Sequence, residues 1–218
     1  MSNISTDIQQ VIRILKKKKF CKTSACPIIE KGSYCIDKFE IMVNATPNET
    51  RPSVSPLTIN FTIHFQYDTK KKFLDVQDFN FEIVGYSKNE SNVFKSSWHF
   101  DYEPKGQKLK YIHPVYHLTY GGKVMDGVDI GNVLLLPTPR ISYPPMDFVL
   151  GIDFILSNFI KKDQYIDLLS EPEYSAAVKN SQMRLWQPYI TTLANHWDKS
   201  ITIQSNCFKS TELFPTLQ

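Results

Sequence analysis

Three of the five histidines of this chain fall in one stretch, Trp98-His99-Phe100-Asp101-Tyr102 through His113-Pro114-Val115-Tyr116-His117. Imidazole changes charge near neutral pH and is the commonest metal ligand, so this stretch is where chemistry is to be expected first. His99, Asp101, His113 and His117 are the candidate catalytic residues, as an acid–base set or as metal ligands. What they can do together depends on strand register, because a slip of one residue turns a side chain to the other face of a sheet. A two-residue turn at Lys105-Gly106 sets His99 opposite Ile112. It also faces Tyr102 and Phe100 with Leu109 and Tyr111, and Asp101 with Lys110, an opposite-charge pair. A three-residue turn instead sets His99 opposite His113 and assembles one site. The apolar pattern and the Asp101–Lys110 pair favour the first register. His99 and Asp101 then face away from His113 and His117, and the expectation is no metal set and no cofactor.

The elements that must carry this stretch are legible around it. Ile8, Val11, Ile12 and Leu15 fall at helical spacing and predict a helix over about residues 6–18, capped by Ser5 or Thr6. Tyr34–Val43 reads as a strand. Leu57, Ile59, Phe61, Ile63, Phe65 and Tyr67 alternate with polar residues, the pattern of a half-buried antiparallel strand. Phe79–Ile83, Phe94–Tyr102, Leu109–Tyr120 and Val133–Leu136 complete the series, with short turns that imply a meander. Pro137, Pro139, Pro144 and Pro145 form a stiff connector. Beyond it, Met146–Ile160 predicts a helix apolar on most sides, Tyr165–Leu169 a short helix, and 172–198 a long one that Pro188 must kink. Trp186, Tyr189, Ile190, Leu193 and Trp197 form its apolar face, and the tail 205–218 reads as irregular. The fold class is α+β: an antiparallel meander of five or six strands over 34–136, an N-terminal helix over 1–20, and a helical layer over 145–198. All of it is read as one domain spanning 1–218.

Asp153 is the other oddity. On a helical wheel it falls among Met146, Val149, Leu156 and Ile160, and a carboxylate there must be paired or protonated. Arg140, in the proline connector, is the expected partner in a buried ion pair. His64 is expected on an exposed strand face, and His196 in packing beside Trp197.

Composition narrows the function classes. The 218 residues are 42% hydrophobic and 22% charged, with a net charge of +3, which is ordinary for a soluble globular protein. So mild a basic balance does not argue for nucleic acid as a whole-protein partner, although Lys16, Lys17, Lys18 and Lys19 make a local patch that nucleic acid could contact. The favoured reading of that run is a solvated helix C-terminus complemented by cations. Phe148–Ile160 is too short, and with Asp153 too polar, to span a bilayer. No leader is visible, so a cytoplasmic location without membrane contact is expected. Cys21, Cys26, Cys35 and Cys207 lack the close pairs of a zinc finger, and reduced thiols fit that location. No phosphate-binding glycine loop, dinucleotide fingerprint, nucleophile elbow or H-E-x-x-H is present.

His113-Pro114, Tyr143-Pro144-Pro145 and Leu168-Leu169-Ser170-Glu171-Pro172 before the last helix, in this element order, faintly resemble the ubiquitin-conjugating and RWD-like fold over roughly residues 55–198. The Pro-Pro pair follows the histidine instead of preceding it. No cysteine lies between Cys35 and Cys207, so the resemblance implies at most a noncatalytic cousin. The expected function is accordingly a noncatalytic interaction protein, an accessory subunit of a larger complex, for example in microbial defence or a toxin–antitoxin system. The alternative is a small metal-dependent or histidine-based hydrolase or nuclease using His99, Asp101, His113 and His117.

Overall fold

The computed structural model describes residues 4–21, 28–30, 33–43, 57–68, 73–86, 93–103, 112–129, 131, 139–200 and 208–217. It is an α+β fold. Among the described residues one antiparallel sheet carries seven strands paired in chain order: β1 (Ile28–Glu30), β2 (Ser33–Val43), β3 (Leu57–Asp68), β4 (Phe73–Tyr86), β5 (Val93–Tyr102), β6 (Tyr116–Tyr120) and β7 (Ile141–Ser142). This exceeds the five or six expected strands, because the short edge strands β1 and β7 carry too few residues to show an alternation. The expected strand Val133–Leu136 lies outside the described residues. Helices α1 (Ile4–Lys17), α2 (Phe148–Phe159), α3 (Lys162–Leu169), α4 (Pro172–Ser181), α5 (Gln187–Ala194) and α6 (Ser210–Leu213) complete the described fold.

The stripe expected in α1 is buried as read: Ile8, Val11, Ile12 and Leu15 join Ile14 in the core. The helix ends in a Schellman turn. Lys19 takes a left-handed φ of 63°, with Phe20 N–H donating to the Leu15 carbonyl at 2.9 Å and Lys19 N–H to that of Lys16 at 3.1 Å. The Phe20 carbonyl then accepts from Met42 N–H at 3.0 Å, which hooks the helix exit to β2. Lys17 and Lys18 reach the α3–α4 junction. Lys18 Nζ is 2.6 Å from Asp167 and 3.0 Å from Glu171, and Lys17 Nζ is 3.0 Å from Glu171. Two members of the basic run are therefore already engaged within the fold.

Phe39, Ile41, Ile59, Ile63, Phe100, Tyr116 and Leu118 from the sheet share one buried cluster with α1, α2 and α4. Phe39 meets Phe148 edge-on at 5.4 Å. Helix α2 begins at Phe148, with Asp147 as its cap accepting from Leu150 N–H at 2.9 Å, so Pro144 and Pro145 belong to the connector ahead of it. The expected long helix over 172–198 runs in continuous helical backbone from Pro172 to Ala194, with a π-helical turn, Gln182–Trp186, between α4 and α5. Pro188 is the physical cause, since it lacks an N–H and its ring crowds the carbonyl of Arg184 one turn back. The expected apolar face of that helix is only partly buried, with Ile190 54% and Trp197 71% exposed.

The π turn carries an ionic knot. Arg184 Nη1 lies 2.7 Å from Asp7 Oδ2, and its Nη2 3.3 Å from Asp147 Oδ2 and 2.7 Å from Ser181 Oγ. Asn180 and Ser181 donate to the same two carboxylates. This buried network ties α1, α2 and the π turn together, and no periodicity in the sequence announces it.

The expected Arg140–Asp153 ion pair does not hold. Asp153 Oδ1 accepts from the hydroxyls of Tyr165 and Tyr174, each at 3.0 Å. Arg140 sits just ahead of β7 at the sheet, whereas Asp153 faces α3 and α4, where two neutral donors satisfy it without a second buried charge. Burial pushes the Asp153 carboxyl up, with the two tyrosine hydroxyls offsetting part of the effect. The same burial, next to Asp153, pushes the Tyr165 and Tyr174 hydroxyls up.

Candidate metal centre

The register of β5 against β6 decides which side chains meet, and it is neither of the two weighed from the sequence. Trp98 pairs with Tyr120, His99 with Thr119, Phe100 with Leu118, Asp101 with His117 and Tyr102 with Tyr116. The strand β6 starts only at Tyr116, because Pro114 cannot donate to a ladder and holds His113 away from helical backbone. The expected turn at Lys105-Gly106 lies outside the described residues. The ladder closes with Glu103 N–H donating to the Val115 carbonyl at 2.9 Å.

Alternation then sorts the two faces. Phe100, Tyr102, Tyr116 and Leu118 point to the helical side, where Tyr102 and Tyr116 stack with centroids 5.2 Å apart. His99, Asp101 and Glu103 from β5 and its end, with His117 and Thr119 from β6, occupy the other side. The expectation that His99 and Asp101 face away from His117 is thus overturned. His113, outside any strand, folds back so that its ring stands 5.4 Å from that of His117.

Three donor groups converge here. Glu103, His113 and His117 each offer one ligand atom within 4.8 Å of the others, the one such group of histidine, cysteine and carboxylate side chains among the described residues. His113 Nε2 lies 3.5 Å from Glu103 Oε2. That is long for a charge-assisted hydrogen bond. It matches the spacing of about 3.4 Å expected for two donors each about 2.1 Å from one tetrahedral ion. Glu103 Oε2 is buried and has no protein hydrogen-bond partner, a state that in a native fold calls for an ordered water, an ion or a function.

His117 is oriented for the same role. Its ring is 2% exposed. Its Nδ1–H donates to the Pro114 carbonyl oxygen at 3.0 Å, since a carbonyl can only accept. In the neutral form this leaves Nε2 bare, the tautomer a metal requires, fixed by the outer hydrogen bond that ligating histidines characteristically make. His117 Nε2 faces Asp101 Oδ2 at 3.5 Å. Two acceptors so placed need a proton or a cation between them. The Asp101 carboxyl is raised by burial, but the contact with His117, the charge of His99 and the Thr119 hydroxyl outweigh this and hold it below its usual range. Thr119 Oγ1 is 3.4 Å from Asp101 Oδ2.

His99 completes the row. Gly122, at φ +85°, lets its backbone lie under the imidazole: a Cβ there would stand 2.5 Å from His99 Cε1. Gly121 N–H donates to the Ser97 carbonyl at 2.7 Å, so the chain leaving β6 is held across β5 at this point.

All four candidate residues thus lie at one locality, and the sequence reading missed Glu103. The signal was available: Glu103 stands two and four residues beyond Asp101 and His99, the period of a strand face. His196 instead bonds Ser210 Oγ through Nδ1 at 3.0 Å and meets Trp197 edge-on. The side chains of His64, Cys26 and Cys207 lie outside the described residues, and Cys21 is buried in the core. Among the described residues no helix is long and apolar enough to cross a membrane.

Comparison with protein-family models, curated proteins and solved structures found no match.

Proposed function

We propose that this chain is a divalent-metal-dependent hydrolase whose ion is held by Glu103 Oε2, His113 Nε2 and His117 Nε2. The observation that carries this reading is the convergence of those three donors around an orphaned carboxylate oxygen, with His117 locked in the ligating tautomer by Pro114. Two imidazoles and one carboxylate form the donor set of hydrolytic zinc sites that keep a position open, and they also suit manganese or iron. A metal in such a site lowers the pKa of bound water towards neutrality and polarises a carbonyl or phosphoryl oxygen.

The chain's own residues supply the rest. Asp101, ionised and beside His117, is placed to accept a proton from the attacking water. Thr119 holds the orientation of that carboxylate through its hydroxyl. His99, on the same face beyond Asp101, is placed to donate to a leaving group. These are the residues of the hydrolase alternative read from the sequence, with Glu103 added.

The test is reconstitution with zinc or manganese, followed by assay on a nitrophenyl ester, bis-nitrophenyl phosphate, a peptide, RNA and DNA. Turnover of one class, with kcat lowered at least a hundredfold in Asp101→Asn at unchanged metal content, supports the proposal. Full metal loading with no turnover on any class overturns it.

The accessory-subunit reading retains one supporting observation. Met183, Ile190 and Trp197 expose 57%, 54% and 71% of their surface on and after the α4–α5 region. Ile190→Glu should leave metal binding and turnover untouched, and would abolish co-elution with a partner if that face serves assembly.

A further inference from the structure

The segment 208–217, with α6 at its centre, packs against the helical side of the sheet directly behind the metal donors. Phe208 meets Tyr102 edge-on at 6.4 Å and Tyr116 edge-on at 5.9 Å. Tyr102 immediately precedes Glu103, and Tyr116 immediately precedes His117. The two tyrosines fill the helical face while their neighbours in sequence fill the metal face, so a shift of either ring turns the donor beside it. The peptide between the two histidines is gripped as well. Val115 N–H donates to the Glu212 carbonyl at 2.9 Å, and the Val115 carbonyl accepts from Glu103 N–H at the same distance. The Glu212 side chain in turn caps α6, accepting from Lys209 N–H at 3.1 Å. Glu103 and His117 are therefore each next in sequence to a tyrosine that meets Phe208, and His113 stands two residues before the Val115 N–H that the segment holds.

We infer that the 208–217 segment is a strap that positions the metal donors, so that strap docking and metal binding reinforce one another, with Phe208 as the positioning residue. The inference rests on the metal reading above. Coupling of this kind is reciprocal: whatever the docked strap adds to metal affinity, the bound metal returns to docking. Outer residues that orient ligands are typically worth 10- to 100-fold in affinity. Phe208→Ala should therefore weaken zinc binding about tenfold or more.

The experiment is chelator competition with zinc alone, on the full chain, for wild type, Phe208→Ala, Phe208→Tyr and Arg184→Leu. The expected result is weaker binding in Phe208→Ala, recovery in Phe208→Tyr, and wild-type affinity in Arg184→Leu, which disturbs a core contact away from the donors. The cobalt form of Phe208→Ala should also lose tetrahedral d–d absorption intensity. A second arm needs no variant: zinc should slow tryptic cleavage after Lys209, inside the strap. Wild-type affinity in a folded Phe208→Ala, with cleavage at Lys209 indifferent to zinc, overturns the strap while leaving the centre standing. If Phe208→Ala fails to fold, the cleavage arm decides alone. A wild type that binds neither zinc nor cobalt overturns the centre and the strap together.

Discussion

Glu103→Gln should make the metal-free protein more stable and the metal-binding protein worse, and the opposite signs follow from the geometry. In the absence of an ion, one oxygen of a carboxylate is buried without a hydrogen-bond partner, 3.5 Å from His113 Nε2. A buried unsatisfied polar group costs about 1–3 kcal/mol. The Glu103 side chain is 28% exposed, so the lower end applies, about 1 kcal/mol. Gln keeps the shape, removes the charge and can donate to His113. In a chain of this size about 1 kcal/mol moves the midpoint by about 2–4 °C. Thermal unfolding in chelator should therefore show Glu103→Gln melting about 2–4 °C above wild type. Zinc titration should show the variant binding at least a hundredfold more weakly, since an anionic ligand has become a neutral one. A variant less stable than wild type in chelator, or one that binds zinc equally well, would refute the reasoning, because Glu103 would then be an ordinary structural partner of His113.

Three further outcomes are expected. Arg184→Leu leaves Asp7 and Asp147 buried with fewer partners and should cost about 3–5 kcal/mol by urea denaturation; a loss under about 1 kcal/mol would remove the ionic knot from the account. Asp153 has its carboxyl raised on folding by burial, so its protonated form favours the folded state; that contribution is present below the unfolded pKa of about 3.9 and is lost as pH rises through the folded value. Asp153→Asn keeps an acceptor for Tyr165 and Tyr174, so at pH 7 it should be neutral to stabilising, and the slope of stability against pH above about pH 4 should flatten, as read by denaturation at several pH values. Gly122→Ala places a Cβ on a backbone of φ 85°, ψ −173°, a region open essentially only to glycine, and 2.5 Å from the His99 ring. It should cost about 1–2 kcal/mol and shift the His99 imidazole resonances, while zinc affinity stays at the wild-type value.

The sequence made some elements plain and hid others for definable reasons. The apolar stripe of α1 and the long alternation of β3 are signals spread over many residues, and they survive local exceptions. The four histidine-hairpin candidates were recognisable by type. Their register was not, because Lys105-Gly106 is a strong local turn signal, whereas pairing of Trp98 with Tyr120 is set by non-local packing of Phe100, Tyr102 and Tyr116 against the helical layer. Pro114 was the clue that the strand could not extend back to Leu109. Asp153 was recognisable as a buried acid, but its tyrosine partners lie twelve and twenty-one residues on, across two other helices. Glu103 falls on the strand period of His99 and Asp101, but a lone glutamate at a strand end carries no signal of its own until the register places it beside His113.

The most direct test of the central claim is metal stoichiometry by elemental analysis of the purified chain, loaded with zinc and then desalted, in wild type, His117→Ala and Glu103→Gln. One tightly held ion per chain in wild type, lost in His117→Ala and weakened in Glu103→Gln, is the result the geometry predicts. A wild type that retains no zinc, manganese or iron, or a His117→Ala variant that retains as much as wild type, would contradict it.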